Sequence, residues 1–212
     1  RWYSFHRMQI RTARKIENII TPSEATKADI VAEFGLEADQ LHVVPLGVDQ
    51  TAFKPQPHIK RLPKRIVTTA SADVPLKGLS VLLDSYASLR EQISDIELIV
   101  VGKLRDGPTR EKLENLGLAD IIQFRSGLSR QELAELFCSA TVVVTPSLYE
   151  GFGLPCAEAM CCATPVIATD GGALPEVVGD AGIIVEKGDA RVLAEAILEV
   201  VGSPQRQKAM AE

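Results

Sequence analysis

One stretch of the sequence, PSLYEGFGLPCAEAM at 146–160, combines acidic residues with glycines in a pattern that suits chemistry on an anionic substrate. It follows TVVVT at 141–145, an apolar β-branched run typical of a buried strand. The glycines of EGFG make a helix unlikely before Leu154, and Pro155 suits the first position of a helix. The pattern predicts a loop that carries Glu150 and a helix that carries Glu158 in its first turns.

The turn between this loop and the helix is a predicted anion site. Its residues are Gly151, Phe152, Gly153 and Leu154, whose backbone N–H groups precede the helix or begin it and so lack intrahelical partners. The positive end of the helix dipole attracts an anion, and glycine lets a ligand approach the backbone closely. A phosphate group is a ligand that fits this combination.

The two glutamates suggest complementary roles beside such an anion. An ionised carboxylate only accepts hydrogen bonds, so Glu158 could hold both hydroxyls of a ribose. Glu150 could face a sugar carbon that becomes cationic as its bond to phosphate breaks, as in glycosyl transfer. Each residue also has an ordinary explanation, because Glu158 could stabilise the helix dipole and Glu150 could be a solvated loop acid.

The segment GFGLPC also matches part of the dinucleotide-binding fingerprint, GxGxxG/A. Three features argue against a dinucleotide site. The segment comes late in the chain, the residues 146–150 separate it from the strand, and Cys156 occupies the third small position. A site for a sugar attached to phosphate is therefore favoured.

Together with further segments, this stretch resembles glycosyltransferase family 4, whose members have the GT-B architecture of two facing Rossmann-like domains. EGFGLPCAE matches the family's Glu-x7-Glu motif, and the likeness continues over the block 146–178. The segments 20–36 and 43–53 resemble the end of the acceptor domain and the connector that follows it. LKGLSVLL at 76–83 resembles the family's Lys-Gly helix start. The resemblance covers nearly the whole chain.

The resemblance implies a retaining glycosyltransferase that takes a hexose from a UDP-, GDP- or ADP-sugar and transfers it to a sugar or a lipid-linked acceptor. Glu150 matches the glutamate at the reacting sugar, Glu158 the one that holds the ribose, and Gly151–Leu154 the turn that meets sugar and diphosphate. Lys77 matches the lysine that neutralises the diphosphate leaving group. Its place before Gly78, at a predicted helix start, supports this role, although a single exposed lysine there would otherwise be ordinary.

Two positions depart from the family pattern. The family usually pairs the lysine with an arginine a few residues earlier, whereas the corresponding position here lies near Ala72. A bidentate, charge-assisted phosphate contact would be lost, and Ser71 could donate only a neutral hydrogen bond. Leu46 stands where the connector often carries asparagine. The alternative of a nucleotide-sugar-binding module or pseudoenzyme, without activity in this chain, therefore stays open.

A phosphate-handling enzyme on the same fold is a further alternative. A sugar-nucleotide epimerase would need more acid–base groups than can be placed, and no segment resembles the Schiff-base lysine of a pyridoxal-phosphate phosphorylase. No motif encodes the base, the sugar or the acceptor. Base and sugar selectivity depend on side chains in loops such as RSGLS at 125–129.

The elements that position these residues alternate regularly from about residue 65 onward. Runs rich in Val and Ile, typical of strands covered on both faces, alternate with segments whose apolar residues recur at helical spacing. The strand candidates are RIVTTA (65–70), IELIVVG (96–102), IIQFR (121–125), TVVVT (141–145), PVIAT (165–169) and GIIV (182–185). This alternation predicts an α/β fold with a doubly wound, Rossmann-like parallel sheet, which the resemblance makes the C-terminal half of a GT-B fold.

Three parts are predicted along the chain. Residues 1–45 are interpreted as the terminal fragment of the N-terminal acceptor domain, with a helix from Ser23 to Phe34. Residues 46–64, rich in proline and basic residues, are the predicted interdomain linker, and 65–212 the nucleotide-sugar-binding domain. Both chain ends suggest cuts through something longer. This chain alone is expected to be inactive, because GT-B catalysis uses a cleft between two domains.

The composition excludes several classes of protein. The 212 residues are 46% hydrophobic and 24% charged, as in ordinary globular domains, and the net charge of −5 argues against a nucleic-acid partner. No apolar run approaches the roughly 20 residues of a membrane span, and the chain does not open with a signal peptide. Reduced, buried thiols in a cytoplasmic protein are expected for the four cysteines, Cys138, Cys156, Cys161 and Cys162.

Neither a metal nor a cofactor is expected. The sequence has no Asp-x-Asp, and His6, His42 and His58 have no partners at metal-ligand spacing. The lysine and the helix amides would do the work of a divalent cation.

The first predicted helix is basic along one side, through Arg7, Arg11 and Arg14. Trp2 and Phe5, together with Met8, lie toward another side. Peripheral contact with the cytoplasmic face of a membrane is one interpretation, and packing against the missing domain is the favoured one.

Overall fold

The computed structural model of the chain describes residues 2–70 and 74–211, and the side chains of the first helix from Phe5 onward. The position of the missing arginine, near Ala72, lies outside the described residues, as does the neighbouring Ser71. The chain folds as two compact units, Arg1–Gly47 and Val48–Glu212.

The first unit contains two helices and a two-stranded parallel sheet. Its elements are α1 (Trp2–Ala13), β1 (Ile19–Thr21), α2 (Glu24–Phe34), a 3₁₀ turn (Ala38–Gln40) and β2 (Leu41–Val43). Helix α2 follows Ser23, whose hydroxyl accepts a hydrogen bond from the amide of Thr26 at 3.0 Å, and Gly35 ends it in the left-handed conformation. The predicted helix from Ser23 therefore forms, with Ser23 as its cap. That this unit ends an acceptor domain stays a prediction.

Helix α1 carries the basic residues that prompted the membrane interpretation. Arg14 donates a hydrogen bond to the carbonyl of Phe34 at 2.9 Å and so connects this region with the end of α2. Phe5 and Met8 are exposed within the chain, and the side chain of Trp2 lies outside the described part. Membrane contact stays a prediction.

The second unit is built on a six-stranded sheet in which all neighbouring strands are parallel, in the order β5-β4-β3-β6-β7-β8. The strands are β3 (Arg65–Thr69), β4 (Glu97–Val101), β5 (Gln123–Arg125), β6 (Val142–Thr145), β7 (Val166–Thr169) and β8 (Ile183–Val185). The helices are α3 (Leu79–Gln92), α4 (Pro108–Asn115), α5 (Arg130–Ser139), α6 (Leu154–Cys161), α7 (Leu174–Val178), α8 (Ala190–Gly202) and α9 (Pro204–Ala211). The predicted doubly wound α/β sheet is confirmed.

Helices cover both faces of this sheet, which explains why the strand sequences are apolar at consecutive positions. Helices α3 and α8 pack together over one face, where Leu82, Leu83 and Ile197 are buried. Helices α5 and α6 pack together over the other face, where Phe137 and Ala159 are buried. The interior strands β6 and β7 are buried at every residue. Each face therefore has its own hydrophobic core.

The segment predicted as a linker is divided between the two units after Gly47. Its second part, residues 48–64, belongs to the larger unit and packs against α5. Phe53 is buried there, with its ring centroid 6.2 Å from that of Phe137. Leu62 donates a backbone hydrogen bond to Ser139 at 2.8 Å. Its role as an interdomain connector stays a prediction.

Candidate functional site

The strand order creates a crevice at the middle of the sheet. From β3 the chain moves outward to β4 and β5, and from β6 it moves outward in the opposite direction to β7 and β8. Loops that follow two such neighbouring strands separate at their carboxyl ends, which is where open α/β sheets bind ligands. The loop after β3 carries Lys77 and the loop after β6 carries Glu150. The topology thus places both predicted site residues at this switch point.

The loop after β6 is fixed on the side of α3. The amide of Leu148 donates to the carbonyl of Leu76 at 2.8 Å. Gly78, with φ of 64°, lies so close to the loop that a Cβ built on it would overlap the carbonyl oxygen of Pro146. Only glycine fits this approach and this backbone conformation together. Lys77 sits between these two contacts, at the end of the 3₁₀ turn Pro75–Lys77.

The turn after β7 fixes the other side of the same loop. The amide of Glu150 donates to the carbonyl of Gly171 at 3.3 Å, and the carbonyl of Glu150 accepts from the amide of Ala173 at 2.9 Å. A Cβ on Gly172 would overlap the backbone of Glu150. The backbone that carries Glu150 is therefore held from two directions.

The side chains of Lys77 and Glu150 form an ion pair at the crevice, with 2.7 Å between Nζ and Oε1. The hydroxyl of Ser147 donates to the same carboxylate oxygen at 2.8 Å. The carboxylate side chain is 13% exposed and the lysine 34%, so a ligand can reach the lysine. Sequence reasoning selected the two charged residues and missed Ser147, whose only signal is its place three residues before Glu150.

Helix α6 begins at Leu154, so Pro155 occupies the second position and not the predicted first one. Gly153 precedes the helix in the left-handed region, with φ of 101°, and its carbonyl accepts from the amide of Cys156 at 3.0 Å. The amides of Phe152, Gly153 and Leu154 donate to no other group within residues 2–70 and 74–211. These are three of the four amides, Gly151 to Leu154, that the sequence predicts as an anion site, and they could bind an anion.

Glu158 lies in the second turn of α6 and is half-buried. Burial raises the pKa of its carboxyl, and the positive charge of Arg130 opposes that shift. Arg130 is the first residue of α5, directly after the loop RSGLS, and its guanidinium lies 3.3 Å from Asp49. Sequence reasoning named the loop but not this arginine.

The thiol of Cys156 lies beneath the site and is buried. Burial raises its pKa to about 12, with the charge of Glu150 adding to the shift, although the thiol donates to Thr145 at 3.0 Å. A thiol with so high a pKa is not a nucleophile at neutral pH. All four cysteines are free, as expected, and Cys138 and Cys162 are also buried. The expectation of burial is wrong for Cys161, which is partly exposed near the end of α6.

Within the described part of the chain, no group of three or more His, Cys, Asp or Glu side chains is arranged to bind a metal ion. The expectations of no metal and no cofactor remain predictions. No helix among the described residues has the length and apolar character needed to cross a membrane.

A family of proteins described as "Glycosyl transferases group 1" matches residues 50–212, the segment that contains every residue of the site. The chain belongs to this family. A mannosyltransferase of Mycolicibacterium hassiacum, the "MMP alpha-(1->4)-mannosyltransferase", is 46% identical over 216 residues; the match covers all of this chain and 52% of that protein. A "GDP-mannose-dependent alpha-(1-6)-phosphatidylinositol monomannoside mannosyltransferase" of Mycolicibacterium smegmatis is 31% identical over 89% of this chain and 54% of its own length.

Solved structures of other proteins share the fold of this chain. Sucrose-phosphate synthase from Thermosynechococcus elongatus superposes with a TM-score of 0.81 at 28% identity, over 97% of this chain and 55% of that one. Anabaena Alr3699/HepE, solved with UDP-glucose, superposes with a TM-score of 0.82 at 23% identity, over 97% of this chain and 60% of that one. The chain spans about half the length of the curated relatives it matches.

Proposed function

We propose that the protein containing this chain transfers a hexose from a nucleotide-diphosphate sugar to a sugar or lipid-linked acceptor, with retention at the anomeric carbon, and that this chain binds the donor. The observation that carries the proposal is the Lys77–Glu150 ion pair at the switch point, beside three amides with no partner among the described residues. Mannose is the favoured sugar, because two relatives are mannosyltransferases by name, and one of them depends on GDP-mannose.

The diphosphate would lie between Lys77 and the amides of 152–154. An ammonium group has three N–H donors, of which one points to Glu150, so Lys77 can bind phosphate without leaving the carboxylate. Negative charge grows on the diphosphate as the glycosidic bond breaks, and fixed donors stabilise that charge without reorganising. These groups favour departure of the leaving group without a metal ion.

Glu150 would face the sugar carbon as it gains positive charge. A carboxylate held in place near an oxocarbenium-like centre stabilises the transition state more than the ground state. Retention follows if the acceptor attacks from the face that the diphosphate leaves. Glu158 would accept hydrogen bonds from the ribose hydroxyls in its ionised form.

A donor-binding module without activity is the second candidate. It is favoured by the length of the chain, which covers about half of its curated relatives. A pseudoenzyme would also fit the absence of arginine near Ala72.

Donor binding is tested by calorimetric titration of this chain with UDP, GDP, ADP and their glucose and mannose conjugates, in the presence of a chelator. We expect saturable binding of one nucleotide family, lost in Lys77→Ala and in Glu158→Ala. Absence of binding to every ligand by the full-length protein would contradict the proposal.

Catalysis is tested by Glu150→Gln in the full-length protein. Gln keeps the oxygen that Lys77 and Ser147 contact but removes the negative charge, so turnover should fall about 100- to 1,000-fold while the donor dissociation constant changes little. Turnover close to that of the unchanged protein would show that Glu150 is not catalytic. Donor binding without turnover in the unchanged full-length protein would favour the binding module.

A further inference from the structure

The Glu150 carboxylate is held by one of its two oxygens. The ammonium of Lys77 and the hydroxyl of Ser147 both donate to Oε1, at 2.7 and 2.8 Å. Within residues 2–70 and 74–211, Oε2 accepts no hydrogen bond. One oxygen is thus fixed by the protein, and the other is left to meet a ligand.

Ser147 is more firmly fixed than Lys77. The serine is 2% exposed, whereas the lysine side chain is 34% exposed and long. The carbonyl of Ser147 accepts a hydrogen bond from the hydroxyl of Thr169 at the end of β7. A Cβ built on Gly171 would lie 2.5 Å from the same carbonyl oxygen, which shows how closely the two segments pack. The backbone therefore directs the Ser147 hydroxyl toward Glu150.

Lys77 and Ser147 also differ in how a bound nucleotide sugar would affect their contact with Glu150. Lys77 would contact both the diphosphate and the Glu150 carboxylate. Its attraction for the carboxylate would therefore be weaker when the diphosphate is bound. Ser147 is neutral and buried, and its hydroxyl has no second acceptor among the described residues. Its hold on the carboxylate would stay unchanged when the diphosphate arrives.

We propose that Ser147 is a positioning residue that keeps the Glu150 carboxylate in one rotamer, with Oε2 presented to the sugar. The inference rests on the proposed role of Glu150. Without the hydroxyl, the glutamate side chain could rotate about its three torsions and the charge would be misplaced by about an ångström, a displacement that costs on the order of 10- to 100-fold in rate. Donor binding would change little, because Ser147 contacts the carboxylate and not the nucleotide.

The test compares Ser147→Ala with Ser85→Ala in the full-length protein, by steady-state release of nucleoside diphosphate from the donor that binds. Ser85 is a matched control: it is 1% exposed, and its hydroxyl donates to the carbonyls of Val81 and Ala190 between α3 and α8. Ser147→Ala should lower kcat about 10- to 100-fold with donor KM nearly unchanged, whereas Ser85→Ala should leave both close to their original values. Equal kcat in the two variants would overturn the proposal.

A double variant separates positioning from mere structural support. If Ser147 acts through Glu150, Ser147→Ala should lower kcat much less in a Glu150→Gln background than in the unchanged protein. The same fold-loss in both backgrounds would contradict the inference even where the proposed role of Glu150 stands. If Glu150→Gln alone has no effect, it is the proposed function that fails.

A crystal structure of Ser147→Ala gives a readout that needs no activity. The Glu150 carboxylate should occupy more than one rotamer or leave Lys77, while the loop 146–150 keeps its backbone path. A single, unchanged carboxylate position would overturn the proposal.

Discussion

The two glutamates of the site, Glu150 and Glu158, differ in how the protein compensates their negative charge. The carboxylate of Glu150 has a cation at 2.7 Å and a hydroxyl at 2.8 Å on one oxygen. Glu158 is half-buried, and the positive charge of Arg130 only partly offsets the effect of its burial, so its pKa is raised. Two glutamates eight positions apart therefore face different electrostatic conditions. The proposed roles fit this difference, since one carboxylate would meet positive charge and the other neutral hydroxyls.

The raised pKa of Glu158 predicts a pH dependence for donor binding. As pH falls toward this raised pKa, above the usual glutamate value of 4.5, the carboxylate takes up a proton and loses acceptor capacity. Affinity for the nucleotide sugar, measured by calorimetry, should therefore fall as pH is lowered from 7, and at a higher pH than an ordinary glutamate would require. A sugar diphosphate diester is the ligand to use, because a free nucleoside diphosphate titrates in the same range. Glu158→Gln should bind more weakly at pH 7 and show a flatter profile.

The same shift acts on stability with the opposite sign. The folded chain binds this proton at a higher pH than the unfolded chain, so the contribution of Glu158 to stability is fully present below its unfolded pKa and is lost as pH rises through the folded one. A pH profile that is identical for Glu158 and Glu158→Gln would contradict both expectations.

Elements meet at the site through backbone and not only through side chains. The start of α3 and the loop after β6 touch where Gly78 faces Pro146, and the turn after β7 holds the same loop through Gly171. Three segments that follow three different strands are thus packed around one glutamate. The position of Glu150 depends on all of them.

Gly78→Ala should separate this contact from ordinary glycine effects. Alanine in the left-handed conformation costs about 1–2 kcal/mol, and the overlap with the Pro146 carbonyl adds about 1–3 kcal/mol. Gly117→Ala is a matched control, because Gly117 has φ of 66° and nothing within 4 Å of a built Cβ. Urea unfolding should show Gly78→Ala to be less stable than Gly117→Ala by about 1–3 kcal/mol, the cost of the overlap. Calorimetry should show weaker donor binding only in Gly78→Ala. Equal loss of stability in the two variants would mean that the loop 146–150 moves away from the new Cβ at no cost in free energy.

The sequence predicts the elements well where apolar residues are continuous and less well at their ends. IIQFR was expected to be a strand throughout, yet β5 begins at Gln123, because Ile122 is buried in the preceding turn instead. Helix α9 was not predicted, since PQRQKAMA offers no apolar face of helical period. Local patterns give element type, whereas boundaries depend on packing that the pattern does not contain.

The charged residues of the candidate site could be predicted from the family resemblance and from the charges that a sugar diphosphate requires around it. Lys77 and Glu150 lie far apart in the sequence, and their ion pair follows from strand order, which no local pattern reports. Ser147 could not be selected from sequence, because a serine hydroxyl acquires its role only from the carboxylate placed beside it. The fit of Gly78 against Pro146 is equally a product of the fold.

On the scale of the whole molecule, the larger unit is self-contained. Both cores that cover the six-stranded sheet belong to Val48–Glu212, as do Lys77, Glu150 and Glu158. The family match begins at residue 50. The proposed donor site is therefore complete, as far as the described residues show, within one compact unit.

A fragment of residues 48–212 should fold and bind the donor with the same dissociation constant as residues 1–212, with and without chelator. The reason is that the sheet, its covering helices and the proposed ligands all lie inside that unit. Calorimetry on both proteins, with Lys77→Ala as the control that abolishes binding, makes the comparison. Binding by the longer chain alone would show that residues 1–47 contribute to the site.

The contact between Gly78 and Pro146 also has a consequence for how such sequences evolve. The space that a Cβ would need at position 78 is filled by a carbonyl oxygen, and every residue type has that oxygen. No substitution at position 146 can therefore make room for a side chain at 78, and compensation would require the loop itself to change length or path. Lineages that lose this glycine should carry insertions or deletions near 146–150, so that a point change in one motif is accompanied by a length change in another.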